Sequence, residues 1–290
     1  MATDDESPES LSPEEAFALL GNESRLAILR ALWEQWGEST GSEPVPFSDL
    51  RERSGIRDSG QFNYHLNKLT GRFVRKSEEG YQLRFAGFQI MGAILSGVYT
   101  RSGSMEPVPI DDPCPACGEP LEARYEDERG EIGCSVCDER LSAFSIPPGA
   151  LEGYEREELP FLFEHWIRAL VQQAAEGVCP SCHGRMTVRV TRDEVPGEVS
   201  VLHECHRCPE RVQSSLGSAL LFHPAVVAFL YDHGVDVQAE PSWRLDWLHE
   251  DTVEVTSTEP FRARFTVQVE GDELDLTVDD ELNVLTRESR

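Results

Sequence analysis

Apolar residues recur at helical spacing through residues 13–100 and predict a series of helices that ends in a hairpin. Residues that favour the N-terminus of a helix stand where each predicted helix begins, and Gly55 and Gly71 stand where two of the helices end. The predicted elements are helices opening at Pro13, at Asn22, at Ser48 and at Asp58 or Ser59, strands at 72–76 and 80–84, and an uncharged helix near 86–99.

The periodicity changes after residue 240. Phe261, Phe265 and Val267 alternate with polar residues, and Leu274 to Val278 repeats the pattern after a Gly-Asp turn. The spacing predicts an antiparallel β unit over 241–290 with one covered face. We expect Trp243, Trp247 and Leu248 to cover that face. A helix over 222–234 and a helical connector over 150–176 precede it. The connector is expected either to pack as a spacer or to form a dimer seam.

A short helix, a turn, a longer helix and a hairpin follow the order of a winged helix-turn-helix. The segment 62–69, Phe-Asn-Tyr-His-Leu-Asn-Lys-Leu, together with 71–74, resembles the recognition helix and the start of the wing in ArsR-like regulators. The segment 20–29 resembles an early helix of the same family. The resemblance implies that residues 13–100 form a DNA-binding domain. A helical bundle without DNA contact is the alternative.

The charge of the chain gives two opposite indications. It has 53 Asp and Glu against 26 Lys and Arg, a formal net charge of −27 that normally argues against nucleic-acid binding. Only two of the cations are lysines, and such an acidic, lysine-poor composition resembles that of haloarchaeal proteins, which fold in molar salt. Local charge is therefore more informative than the total.

One basic segment stands out in this acidic chain. Residues 51–76 carry seven cations against Glu52 and Asp58, and both lysines of the protein lie here. Phosphate neutralisation would explain why the segment is basic, and a solvated helix face is the alternative. His65 is expected either to contact DNA or to pack on the core. The candidate DNA-binding residues are Arg57, Ser59, Gln61, Asn63, Tyr64, His65, Asn67, Lys68, Arg72, Arg75 and Lys76.

Eight cysteines form four Cys-x-x-Cys pairs, all beyond residue 113. Pairs at this spacing predict two sites of four thiolates, each closed like a structural zinc site. The two modules, 110–147 and 177–215, resemble zinc ribbons and predict two Zn²⁺ per chain. Because each module is small, we expect the metal to replace a hydrophobic core. The predicted ligands are Cys114, Cys117, Cys134, Cys137, Cys179, Cys182, Cys205 and Cys208.

Other uses of these cysteines remain possible from the sequence. Iron or an iron–sulfur cluster also takes four cysteines, and a redox-active pair has the same two-residue spacer. His183, His203 and His206 are candidates to replace a thiolate, although four cysteines suffice at each site. We expect them to be neighbours of the site or exposed.

Several protein classes are disfavoured. Residues 1–12 read as an acidic disordered tail without the features of a signal peptide, and the longest uncharged run is shorter than the about 20 residues that a spanning helix needs. A cytoplasmic protein without membrane contact is expected. Phosphate-binding loops, nucleophile elbows and HExxH motifs are absent from the sequence, so no enzymatic activity is predicted.

The sequence thus predicts a multi-domain α+β protein: a winged helix-turn-helix, two zinc ribbons separated by a helix, and a C-terminal antiparallel β unit. The expected function is that of a sequence-specific transcriptional regulator that binds double-stranded DNA as a homodimer. The alternatives are a basal transcription factor resembling the archaeal TFIIE large subunit, with contacts to the transcription machinery, and a protein–protein adaptor that does not bind DNA.

Overall fold

The computed structural model describes residues 11–38, 43–192, 199–249 and 252–290. Its contacts divide the chain into two compact units. The first comprises Met1–Arg101 with Pro147–Gly149, and the second comprises Ser102–Ile146 with Ala150–Arg290. Helices and antiparallel sheets occur together, as expected for an α+β protein. Residues 1–10 of the predicted tail, and residues 39–42 between the second and third predicted helices, lie outside the described residues.

The first unit follows the predicted order of elements. Its two strands form an antiparallel hairpin in which Arg75 stands opposite Gln82. Both strands and the last helix are shorter than the sequence indicated. The elements are α1 (Pro13–Leu20), α2 (Glu23–Glu38), α3 (Phe47–Arg53), α4 (Ser59–Leu69), β1 (Val74–Lys76), β2 (Tyr81–Leu83) and α5 (Phe85–Leu95).

Local capping accounts for where most of these helices begin. The Ser12 hydroxyl and the Glu15 carboxylate form a reciprocal capping box at α1. The Asp58 carboxylate accepts a hydrogen bond from the backbone N–H of Gln61, 2.6 Å away, and caps α4. The prediction for α3 was wrong. That helix begins at Phe47 without a side-chain cap, and Ser48 lies inside it.

A single apolar core holds the first unit together. Phe62, Leu66 and Leu69 of α4 are fully buried, and they pack against Ile28 and Leu29 of α2. The opposite side of α4 is exposed. The core therefore fixes which face of α4 meets solvent.

The second unit contains three antiparallel sheets. The strands lie in sequence order in each sheet, so each sheet is a simple meander. Short 3₁₀ turns lie at 148–151, 156–158, 242–244 and 246–248. The other elements are β3 (Ser104–Pro113), β4 (Pro120–Glu126), β5 (Arg129–Cys134), β6 (Arg140–Ser145), α6 (Leu159–Ala175), β7 (Met186–Thr191), β8 (Ser200–Cys205), β9 (Arg211–Ser215), α7 (Leu216–Leu220), α8 (Pro224–Asp232), β10 (Val253–Thr258), β11 (Phe261–Val269), β12 (Asp272–Val278) and β13 (Val284–Ser289).

Helix α6 packs against both cysteine modules. Phe163 is fully buried in the cluster formed by β3–β6, and its ring meets Phe144 edge-on at 5.4 Å. Val171 and Ala174, further along the helix, pack against the second module. The first module therefore has a buried core, contrary to expectation, but a helix from outside the module completes it. These contacts favour a packed spacer over a dimer seam.

The C-terminal meander β10–β13 has one covered face, as predicted. Phe265, Leu274 and Leu276 on this face are at most 1 % exposed. Trp247 and Leu248 cover them as expected, together with helix α8 and the unpredicted helix α7. Trp243 does not cover this face, contrary to expectation. Its ring packs in the core of the first module, where its indole N–H donates to Asp112 at 2.7 Å.

None of the helices in the described part of the chain is both long enough and apolar enough to cross a membrane.

The packing of α6 gives a test of the fold. Phe163→Ala should lower the free energy of unfolding of the second unit by about 3–5 kcal/mol, because it leaves a cavity in a closed core. His165→Ala, on the exposed side of the same helix, is the matched control and should cost much less. Thermal and denaturant unfolding would measure both. Equal losses would contradict this packing.

Candidate metal centres and nucleic-acid interface

The four cysteine pairs lie in turns that share one backbone hydrogen bond. In each turn the N–H of the first cysteine donates to the carbonyl oxygen five residues later, at 2.7–3.1 Å. This bond closes the turn and points both thiols to one side. The donors and acceptors are Cys114 to Glu119, Cys134 to Glu139, Cys179 to Gly184 and Cys205 to Glu210.

The four sulfurs of each module face one another. Cys114 and Cys137 have Sγ atoms 3.7 Å apart, and Cys117 and Cys134 have theirs 3.6 Å apart. The corresponding distances in the second module are 3.6 Å and 3.5 Å. All four ligand atoms of a group lie within 4.8 Å of one another. A disulfide needs about 2.05 Å, whereas a tetrahedral site with 2.3 Å metal–sulfur bonds has edges of about 3.8 Å.

The turns need residues that accept a left-handed conformation. Gly118, Asp138 and His183 each follow the second cysteine of a pair and have φ values of 78°, 58° and 57°. Only the first of these residues is a glycine. Gly184 matters for a different reason. A Cβ atom there would lie 3.1 Å from the Cys182 sulfur and 3.3 Å from the Cys205 sulfur.

Backbone N–H groups favour the charged form of some sulfurs. Those of Cys137 and Val136 lower the pKa of Cys134 to about 7. That of Arg207 lowers the pKa of Cys205 to about 6. These N–H groups offset part of the cost of gathering thiolates.

Other sulfurs in the same groups resist ionisation. At Cys117 and Cys208 the backbone N–H groups of Glu119 and Glu210 favour the thiolate, yet the neighbouring thiols raise both pKa values to about 12. Four thiolates this close repel one another unless a cation neutralises them. Each group can therefore hold one metal ion, and the donor set is the one that structural metal sites use.

The nearby histidines are not part of either group. His183 and His206 are exposed, and the His206 Nε2 atom lies 3.2 Å from the Thr187 hydroxyl. His203 is 1 % exposed, and its ring nitrogens have no partner among the described residues. Burial lowers its pKa. His183 and His206 are thus exposed, as expected, whereas His203 is buried.

The first unit presents the candidate DNA-binding residues on one side of α4. Opposite the buried Phe62, Leu66 and Leu69, the side chains are exposed and polar. The Lys68 ammonium lies 5.7 Å from the centre of the Tyr64 ring, which is 57 % exposed. The exposed residues of α4 include Ser59, Gln61, Asn63, Tyr64, Asn67 and Lys68, and Arg57 is exposed in the preceding turn.

His65 does not belong to this surface. Its ring is 8 % exposed and lies on the core side of α4, and its Nδ1 atom has no partner among the described residues. Burial lowers its pKa, and the nearby charge of Arg25 lowers it further. His65 was among the candidate DNA-binding residues, and that assignment is wrong. Helical spacing placed the residue at the boundary between the buried and the exposed face of α4, and in the structure its ring lies on the buried side.

The hairpin continues the basic surface beside α4. The Arg75 guanidinium donates to the Gln82 side chain at 2.6 Å, and the Lys76 ammonium lies 5.8 Å from the centre of the Tyr81 ring. Arg72 is half-buried, so it offers less of its side chain than expected. Gln82 is not among the predicted residues, although cross-strand pairing with Arg75 would have suggested it.

The sequence matches two family descriptions along its length. One, "Domain of unknown function (DUF7351)", covers residues 111–284, which include both cysteine groups, α6 and most of the C-terminal meander. The other, "Domain of unknown function (DUF7347)", covers residues 13–94, from α1 into α5. The two matches fall in the two compact units. No curated protein matches the chain.

The close approach at Gly184 gives a test of the second metal group. Gly184→Ala should weaken metal retention by the second group while the first keeps its ion, because the added methyl presses on two sulfurs. Gly92→Ala is the matched control, since a Cβ atom there meets no other atom within 4 Å. Metal release to a competing chelator would measure the effect. Unchanged metal release from the Gly184 variant would contradict the inference that a methyl group at this position crowds the two sulfurs.

Proposed function

This chain belongs to the family described as "Domain of unknown function (DUF7351)", and from its residues we propose that it is a DNA-binding transcriptional regulator. In this proposal the first unit is a winged helix-turn-helix that reads duplex sequence. The second unit is built on two zinc ribbons. The observation that carries the proposal is the single exposed, hydrogen-bonding face of α4, next to a basic hairpin, in a chain that is otherwise acidic.

The exposed residues of α4 have the chemistry to read base edges. Asn63, Asn67 and Gln61 carry side-chain amides, which pair in bidentate fashion with adenine in the major groove. Lys68 lies in the last turn of the same helix, within reach of phosphate. Since the apolar side of α4 is fully buried, only this face is open to the groove.

The hairpin supplies a sequence-independent part of the affinity. Arg75 and Lys76 are exposed on β1, and phosphate contacts by such cations position a protein on a duplex without reading its bases. The bond from Arg75 to Gln82 holds the guanidinium on the hairpin. This role explains why cations are gathered here in a protein of net charge −27.

We further propose that the ion in each cysteine group is Zn²⁺. Four thiolates close the coordination shell, which suits a structural zinc ion and leaves no open position for catalysis. The sulfur–sulfur distances of 3.5–3.7 Å lie close to the edge of a zinc tetrahedron. The chemistry of zinc here is to fix the fold and to neutralise the thiolates.

We also propose that the protein acts as a homodimer through α5 and the residues after it. Phe85, Leu95 and Tyr99 in this segment are 74 %, 49 % and 75 % exposed, so their apolar surface is available to a second copy of the chain. A two-fold dimer would place two α4 helices on two half-sites of an operator. Contacts with the transcription machinery remain part of the basal-factor alternative.

The assignment of α4 predicts two kinds of mutational effect on DNA binding. Asn63→Ala or Asn67→Ala should reduce discrimination between operator and random duplex by about 1–3 kcal/mol, because a bidentate base contact is lost. Arg75→Ala should weaken binding to all duplexes alike and reduce the salt slope by about one. Affinity would be measured at several salt concentrations on a duplex selected from a random-sequence pool.

Gln238→Ala is the matched control, an exposed amide in the second unit whose loss should change neither quantity. Measurements are made in the high salt that suits so acidic a protein. Unchanged affinity, specificity and salt slope in all three variants would contradict the assignment of α4. Failure to bind any duplex would favour the adaptor, and footprints confined to basal promoter elements would favour the basal factor.

The metal assignment predicts two zinc ions per purified chain. Cys114→Ser or Cys179→Ser should each remove one, because three thiolates bind the ion more weakly than four. Ser135→Ala, within the turn of the first group, removes no thiolate and should keep both ions. Elemental analysis under reducing conditions would show this. Iron in place of zinc, or no metal at all, would contradict it.

A further inference from the structure

The two cysteine modules differ in the charge of their turns. In the second module, the seven residues that begin at each first cysteine, 179–185 and 205–211, carry three arginines and two histidines against one acid. The corresponding residues of the first module, 114–120 and 134–140, carry one arginine against three acids. Both modules have the same donor set and the same backbone hydrogen bond in their turns. The cations of the second module are therefore not a requirement of a four-cysteine site.

Contacts between the two turns of the second module bring four of these residues together. The backbone N–H of His206 donates to the carbonyl oxygen of Arg185 at 3.0 Å. Gly184 lies against Arg207, because a Cβ atom at Gly184 would be 3.1 Å from the Cβ atom of Arg207. His183, Arg185, His206 and Arg207 are all exposed. These four residues form the basic tip of the second module.

The two arginines of the basic tip have no counter-charge in the protein. Neither the Arg185 nor the Arg207 side chain forms a hydrogen bond or an ion pair with any of the described residues. The one acid of these turns is Glu210, and its carboxylate accepts a hydrogen bond from the hydroxyl of Ser181 instead. Two neighbouring guanidinium groups without an anion repel each other, so the basic tip is suited to an anion from outside the chain.

Acids beyond the turns are also placed elsewhere. Glu204 on β8 pairs with Arg189 and Arg211, at 3.4 and 3.3 Å, and so neutralises cations of the sheet and not of the tip. The segment 193–198 carries three more acids and lies outside the described residues. It connects the ends of β7 and β8 that are opposite the cysteine turns. Within the described residues the tip keeps its positive charge.

The chemistry of the basic tip fits phosphate better than a protein surface. A guanidinium can donate two parallel hydrogen bonds to one phosphate group. Protein interfaces depend on buried apolar and aromatic anchors. Within the described residues, no exposed large apolar side chain lies in these turns or on β7–β9. In the first module, by contrast, Val136 is 65 % exposed at the position that corresponds to Arg207.

We propose that the basic tip binds the phosphate backbone of duplex DNA, whatever its sequence. The tip has no exposed aromatic ring on which single-stranded bases could stack, so a duplex fits it better than a single strand. The contact adds a sequence-independent part of the affinity from the second unit. It is separate from the reading of bases by α4 and does not require it.

The salt dependence of binding tests the proposal. In the full-length, zinc-loaded protein, Arg185→Ala/Arg207→Ala should weaken binding to selected and random-sequence duplexes alike, by about tenfold. The salt slope should fall by up to about two, because two phosphate contacts are lost. Zinc content and melting temperature should not change, since the removed groups have no partner in the described residues.

The first module supplies the matched control. Arg129→Ala/Arg140→Ala removes two exposed arginines and changes the net charge by the same amount. Because these residues lie outside the basic tip, the salt slope and the affinity should stay as in the unmodified protein. A comparison of the two double variants thus separates a local phosphate contact from a general effect of net charge.

A photocrosslinking amino acid can locate the contact. Placed at His206, it should crosslink to a random-sequence duplex, and placed at Ser135, the corresponding exposed position of the first module, it should crosslink much less. A single strand of the same length and sequence should crosslink to position 206 less than the duplex does.

Four results would overturn the proposal. They are an unchanged salt slope in Arg185→Ala/Arg207→Ala, equal crosslinking from positions 206 and 135, stronger crosslinking to the single strand, and loss of zinc in the double variant, which would assign the arginines to the metal site. Arg75→Ala tests the surface of the first unit separately. A lower slope in Arg75→Ala alone rejects the basic tip and supports the first unit, and a lower slope in the double variant alone does the reverse.

Discussion

In each cysteine module of the second unit, four sulfurs lie within 4.8 Å of one another, so the charge of their thiolates has to be neutralised. Thiolates at this distance repel, and the neighbouring thiols raise the pKa of Cys117 and of Cys208 to about 12. A divalent cation bound there would remove the repulsion and join two turns that are far apart in the chain. The same backbone hydrogen bond, from the first cysteine to the carbonyl five residues later, closes the turn at all four pairs.

Helix α6 ties the two cysteine modules to the rest of the second unit. Its Phe163 completes the core of the first module, and its Val171 packs on the second. The Glu164–Arg168 pair extends this link, since Arg168 donates to carbonyl oxygens near residue 240 and Glu164 binds Ser242. A buried ion pair adds little net stability, but removing one partner is costly, so this pair specifies how the segments meet.

Periodicity, caps and cysteine spacing were enough to predict most elements and both four-sulfur groups. Sequence patterns gave wrong or missing predictions at positions whose packing depends on residues far away in the chain. Trp243 was placed over the C-terminal sheet, but Asp112, far away in the chain, holds its indole in the first module. His65 lies at the border between the buried and the exposed face of α4, and only the packed core shows to which face it belongs. Helix α7 is five residues long, too short for a periodic pattern, and forms because it covers the sheet.

The central claim is that the exposed face of α4 reads DNA sequence. Genome-wide crosslinking of the tagged full-length protein in its own cells tests it most directly. The account predicts discrete enriched sites that share a two-fold related motif, and loss of those sites when the α4 amides are removed. A crosslinking profile indistinguishable from that of the untagged strain would contradict the claim.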